Sequence, residues 1–205
     1  MGLSTVDRVL AWIRDDEFPP ERQEELLRCI NAATDSLAEV TGRTIERATK
    51  TVYLDGCDAG GPCGELLHLP RGDRPVIHGG SDLVTVSENG TAVTVATGYS
   101  TTAGVVLKNA NLDRPCILVR NYTAWQDGYQ NIAVTYKCGW TIDVPGDTAP
   151  APNKVVQLVN AMAWKIFTEP AWIGKINVAQ AGSSVTFIDD LPSIEADTLR
   201  SLMVL

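Results

Sequence analysis

The 205 residues are 44% hydrophobic, enough for one globular domain, or one domain with an appendage, built on a substantial core. Seventeen basic against twenty-five acidic residues give a net charge of -8 without any basic run, which counts against a nucleic-acid-gripping protein, because phosphate binding rests on Lys and Arg contacts. No apolar run approaches a membrane span and Met1-Gly2-Leu3-Ser4 lacks the features of a secretory signal, so the expectation is a cytoplasmic protein with no membrane partner.

Ser4-Thr5-Val6-Asp7 reads as a helix start, with Ser4 as N-cap and Asp7 near the free amides of the first turn. The short helix carries Val6, Val9, Leu10 and Ile13 and has to stop by Phe18-Pro19-Pro20. A second helix is predicted from Glu21 to Thr41. Its apolar positions Leu26, Ile30, Ala33, Leu37 and Val40 follow helical spacing, its acidic start suits the positive helix end, and Gly42 suits the exit.

From Ile45 to about Tyr136 the pattern turns to short β segments. Strands are expected at Thr49–Leu54, Leu66–Leu69, Leu83–Val86, Ala92–Val95, Val105–Leu107, Cys116–Val119 and Asn131–Tyr136, with Asn89-Gly90 as a hairpin turn. Such strands suggest a sandwich-like or partly closed β region inserted between helices.

After Gly139-Trp140 and a Pro- and Gly-rich turn, a long helix begins around Pro152. Val155, Val159, Met162 and Ile166 form its stripe, which Val156, Leu158, Ala163 and Phe167 widen past half the surface. Such breadth predicts an almost enclosed helix, pairing with the Leu26–Leu37 stripe and burying part of its second face against another copy. Beyond Glu169-Pro170, the run Val185–Ile188 reads as extended and Leu191-Pro192 opens a last amphipathic turn.

The fold class is therefore α+β. A helical body of two long antiparallel helices plus short helices carries an inserted small antiparallel β region. The segments are 1–44 (N-terminal helices), 45–140 (β-rich insertion), 141–170 (long helix) and 171–205 (C-terminal arm).

Catalytic and cofactor chemistry finds little footing. Cys57 and Cys63 with His68 and His78 lack the compact Cys-x2-Cys knuckle of a zinc site, so no metal is expected, and Cys29, Cys116 and Cys138 read as free core thiols. Gly60-Gly61-Pro62 and His78-Gly79-Gly80 lack the ending of a phosphate loop and read as turns. Asp189-Asp190 are neighbours that a strand would point to opposite faces. The expectation is no enzyme and no cofactor. Trp125, Tyr129, Trp140, Trp164 and Trp172 lack basic interleaving and read as core or subunit contacts. Arg8, Arg14, Arg22, Arg28, Arg43 and Arg47 give the N-terminal part some positive character, suited to acidic portions of a neighbouring copy.

In order and spacing, the chain resembles the head-tail connector or adaptor proteins of long-tailed phages and gene-transfer particles. The features that carry the resemblance are the opening helix, the helix Glu21–Arg43 and the β segments. They continue with the strand Tyr129–Trp140, the Val144-Pro145 turn, the helix Asn153–Phe167, and a tail from Ile173 with a Gly-Ser segment and a Leu191-Pro192 start. The β region is longer than in that family and Pro150–Pro152 replaces a polar helix start.

The resemblance implies a virion protein, assembled in the host cytoplasm, that forms a homo-oligomeric ring, commonly a dodecamer, under the portal protein. The ring would extend the DNA channel without specific DNA binding and meet a stopper or tail-completion protein. It implies a portal-binding arm at Phe187, Ile188, Leu191, Ile194, Leu199 and Leu202. Leu26, Ile30, Ala33, Leu37, Val155, Val159, Met162 and Ile166 would pack the body. Deletion of Asp190–Leu205 is expected to spare the body and abolish attachment. A tail-completion or tail-terminator protein, and a soluble α/β regulatory or ligand-binding module, are the alternatives.

Overall fold

A computed structural model describes residues 3–15, 17–56, 64–80, 82–97, 104–121, 123–141, 150–169 and Leu202. The chain divides into two compact units, residues 1–46 with 140–205, and residues 47–139.

The first unit is helical. Helix α1 (Val6–Ile13) is capped by Thr5, whose hydroxyl accepts the Arg8 amide, and ends where Arg14 turns left-handed with φ 58°. Thr5 rather than Ser4 caps it because Ser4 is taken into the core, where its hydroxyl donates to Asn160 Oδ1 at 2.5 Å. A 3-10 turn at Pro20–Arg22 leads into helix α2 (Gln23–Thr41), so the predicted helix start is tightened rather than α-helical. Gly42 closes α2 at φ 63°, as its position predicts.

Helix α3 (Asn153–Thr168) follows Pro152, whose carbonyl accepts the Val155 and Val156 amides. Leu26, Ile30, Ala33 and Leu37 of α2 join Val155, Val159, Met162 and Ile166 of α3 in one buried cluster with Leu3, Val9, Phe18 and Trp140. The second face of α3 is covered as well. Val156, Ala161 and Phe167 are buried within the single chain, where a neighbouring copy was expected to cover part of that face. The physical reason is that α1, the Phe18 loop and Leu202 add to what α2 alone encloses.

The second unit is all-β, with two sheets sharing one core. Strands β1 (Ala48–Leu54), β3 (Val76–Ile77), β4 (Thr85–Glu88), β5 (Thr91–Val93) and β9 (Ile132–Cys138) form a sheet in the order β1-β9-β4-β5, with β3 also on β9. The other contains β2 (Leu66–His68), β6 (Val95–Thr97), β7 (Val105–Lys108) and β8 (Ile117–Arg120), in the order β2-β8-β7-β6. Val86, Val134, Tyr136 and Cys138 of the first sheet meet Val105, Leu107 and Leu118 of the second in the same apolar cluster, with Trp125.

Strand β9 is the spine: it pairs antiparallel with β1, β3 and β4, and its residues alternate buried and half-buried as one covered face requires. Asn89-Gly90 forms the predicted hairpin turn, both residues at positive φ (49° and 76°). The predicted strand Ala92–Val95 is split at Thr94. Before it, β5 pairs with β4. After it, β6 pairs parallel with β7 in the other sheet, and the Thr94 carbonyl accepts the Val105 amide. The β region is thus antiparallel except for this one pair among the described strands.

Candidate functional site

The helical unit has a groove at the C-terminal end of α3. Trp164 and Phe167 are three residues apart and therefore share a helix face, where their rings stack with centroids 5.5 Å apart. Phe18, delivered by the loop that α1 releases at Arg14, packs tilted against Phe167 at 5.5 Å. Arg22 of the 3-10 turn lays its guanidinium over the Phe167 ring, 4.2 Å from the centroid, while its Nε reaches Glu25 at 3.2 Å. With Asp15, Pro19 and Thr168 these residues line a cavity of about 380 Å³. Its floor is aromatic, with one cation and one carboxylate among its described lining residues. Such a surface suits an apolar or aromatic side chain offered by another polypeptide, and the arrangement pairs no nucleophile with a base.

In the β unit the carboxylates Asp73, Asp82 and Glu88 are each held in an ion pair. Asp73 is buried and receives Lys50 Nζ at 2.5 Å and the Tyr136 hydroxyl at 2.6 Å. Asp82 receives Lys137 Nζ at 2.6 Å, with Arg47 at 3.9 Å. Glu88, also buried, accepts Arg120 Nη2 at 2.9 Å and the Gln126 amide at 2.8 Å. Arg120 also lies 5.5 Å from the Trp125 ring, whose Nε1 donates to the Glu65 carbonyl. Buried carboxylates paired in this way are neutralised and hydrogen-bonded, which is what stability demands of them.

Burial, together with the hydrogen bond to Asp73, pushes the Tyr136 phenol above its usual range, so it remains a donor. Burial pushes the Cys116 thiol up to about 12, and raises Cys29 with the help of Glu25. Both are therefore protonated and poorly nucleophilic at neutral pH. His78 is lowered by burial, and its Nδ1 accepts the Val84 amide at 3.0 Å. The Gly79–Asp82 turn beside it is closed by reciprocal amide–carbonyl bonds of 2.9 and 3.0 Å.

Among the described residues, no group of three or more His, Cys, Asp or Glu side chains is placed to hold a metal. Cys57, Cys63, Gly60 and Gly61 lie outside the described residues, as do Asp189 and Asp190. No helix among the described residues is long and apolar enough to cross a membrane.

Of the residues assigned to the arm, Phe187, Ile188, Leu191, Ile194 and Leu199 lie outside the described residues. Leu202 is only 4% exposed and belongs to the helical core, so in this conformation its side chain is enclosed by its own chain. The eight body residues are all buried in that cluster. Several of these arginines have partners within their own chain. Arg28 pairs with Glu24 at 2.9 Å along α2, and buried Arg43 sits 4.7 Å over the Trp140 ring. The groove itself was not legible as a unit: Trp164 stood out as an aromatic, but the packing of Phe18 on its neighbour Phe167 depends on where the α1 exit turns.

No protein family and no curated protein matches the sequence. Among the solved structures that resemble the chain is one described as the neck of an empty GTA particle computed with C6 symmetry, at a TM-score of 0.49 and 14% identity, covering 81% of this chain and 78% of that one.

Proposed function

We propose that this chain is a structural head-tail connector, a component of the joint between the DNA-filled head and the tail of a phage or gene-transfer particle. Copies form a ring under the portal, extend the DNA channel, and join the head to a stopper or tail-completion protein. The observation that carries the proposal is the order of elements. Helices α1 and α2, an inserted β unit closing on β9 and Gly139-Trp140, and then α3 packed on α2 follow the order by which the sequence resembles the connector family.

The physical properties suit that role. A net charge of -8 lets DNA pass without trapping it, whereas a basic lining would hold phosphates and slow ejection. Contacts that are individually weak become secure once a ring closes. The aromatic groove at the end of α3 offers a receptor for an anchoring side chain of a neighbour in the joint.

The test is to tag the chain in cells that produce the source particle, purify the particles, and identify what the tag retains by mass spectrometry. Retention of a portal or tail protein, with label at the head-tail joint in electron micrographs, is the expected result. Particles that assemble, package DNA and carry tails without this chain would overturn the proposal.

A second function is favoured by the same groove, whose aromatic floor and flanking Arg22 and Asp15 are what a ligand-binding module would present. Under it, the purified chain retains a small molecule, and the Trp164 fluorescence changes when that molecule is removed.

A further inference from the structure

Among the described strands, β1 has a neighbour on one side only, β9. The Gly139 amide donates to the Pro75 carbonyl and the Asn89 amide to the Asn131 carbonyl, so the odd-numbered residues of β9 aim their backbone groups toward β3 and β4. The even-numbered residues of β9 therefore bond to β1, through the register pairs Ala48–Cys138, Lys50–Tyr136, Val52–Val134 and Leu54–Ile132. It follows that Thr49, Thr51 and Tyr53 point their amides and carbonyls away from β9. No backbone bond within the described residues takes these groups up.

Thr49, Thr51 and Tyr53 are also the exposed side chains of the strand, Tyr53 at 61%. Natural edges are protected by proline, by bulges or by outward charges. None of these devices lies within Ala48–Leu54, where the one charged residue, Lys50, directs its ammonium to Asp73.

We propose that this edge pairs with the same edge of a second copy, antiparallel about a two-fold axis at Thr51. That register sets Thr51 against Thr51 and Thr49 against Tyr53. Each outward amide then meets an outward carbonyl, in the closely bonded type of pair. The side chains are compatible: Thr51 already makes a hydroxyl contact of 2.8 Å with Thr135 across the β1–β9 pair, and Thr51 against Thr51 repeats it. A second copy is the occupant that the strand fits, because the pattern is complementary to itself and uncharged along the edge of a chain whose net charge of -8 otherwise opposes self-association. The pairing does not depend on the ring proposed above, since it is isologous and joins two copies only.

The test uses the full chain in sedimentation velocity over a range of concentrations, with amide exchange read at Thr49, Thr51 and Tyr53. The wild type is expected to shift from monomer to dimer mass, with slowed exchange at those three amides in the dimer. Thr51→Pro removes an amide that β9 does not use, as edge strands tolerate, and is expected to weaken the dimer by about tenfold or more. Thr51→Lys sets like charges against each other at the two-fold axis, weakens the dimer in the same direction, and serves where the proline variant does not fold. A wild type that remains monomeric, or a dimer that both variants leave intact, overturns the pairing. A larger ring unaffected by either variant does so too, while leaving the connector function standing.

Discussion

The hydroxyl of Ser4 and the side-chain carbonyl of Asn160 are 156 residues apart in the chain and 2.5 Å apart in the core. One residue earlier the Leu3 amide donates to Thr34 Oγ1, so the first described residues are tied to both α2 and α3. Asn160→Ala leaves the Ser4 hydroxyl buried without its acceptor, and the expected cost is about 1–3 kcal/mol in urea unfolding. The Ser4→Ala/Asn160→Ala double variant is expected to lose less than the sum of the two single losses, because the second substitution removes a group already orphaned.

Leu202, 4% exposed in the helical core, contributes to the stability of the helical unit. Leu202→Ala is expected to lower unfolding stability by about 2–4 kcal/mol, the range for truncating a fully enclosed leucine. Thermal unfolding of the variant checks it. The same burial revises the expectation that deleting Asp190–Leu205 spares the body: the deletion removes Leu202 and should lower the melting temperature.

Alkaline sensitivity follows from the two raised groups of the β core. Cys116 titrates near 9.0 when unfolded and at about 12 when folded, and Tyr136 shifts in the same direction. Between those values the unfolded chain has released a proton that the folded chain still holds. The contribution of these two groups to stability is therefore full below about pH 9 and falls as pH rises towards 12. Cys116→Ala is expected to flatten part of that slope in denaturant midpoints measured from about pH 8 to pH 11.

Gly56 marks a close backbone approach. A Cβ there would lie 1.7 Å from the Gln126 carbonyl oxygen, while the Gly56 amide donates to Gly128 O and Asn131 Oδ1. Gly56→Ala should cost about 1–3 kcal/mol or more, since backbone rather than a flexible side chain must move. Gly80→Ala is the comparison: its Cβ would meet open space, and only the left-handed φ of 59° opposes it, for about 1–2 kcal/mol. Equilibrium unfolding of the two variants side by side decides whether crowding or φ matters more.

What was legible in the sequence was periodic. Leu26 to Leu37 and Val155 to Ile166 repeat at helical spacing over many turns, and Asn89-Gly90 has few alternatives as a hairpin, so these elements stand where they were expected. The strand exchange at Thr94 was hidden because Ala92–Val95 reads as one continuous β run, whichever sheet each half joins. Val76–Ile77 is too short to carry a period. Ser4 looked like a cap because its competing partner, Asn160, is distant in sequence. The groove failed to stand out for the same kind of reason: Phe18 and Phe167 are brought together by the exit from α1, which no local pattern specifies.

The helical unit also closes on itself where the β unit departs from it. The Trp140 amide donates to the Ile45 carbonyl at 2.9 Å, and Glu46 bridges to Trp140, so the two chain crossings are hydrogen-bonded neighbours. A linker of a few residues could therefore replace residues 47–139 without stretching the helical unit, since loop closure over so short a gap costs little. The β unit is thus an insertion between two adjacent points of the helical unit, and a chain in which such a linker replaces residues 47–139 is expected to keep the packing of α1, α2 and α3.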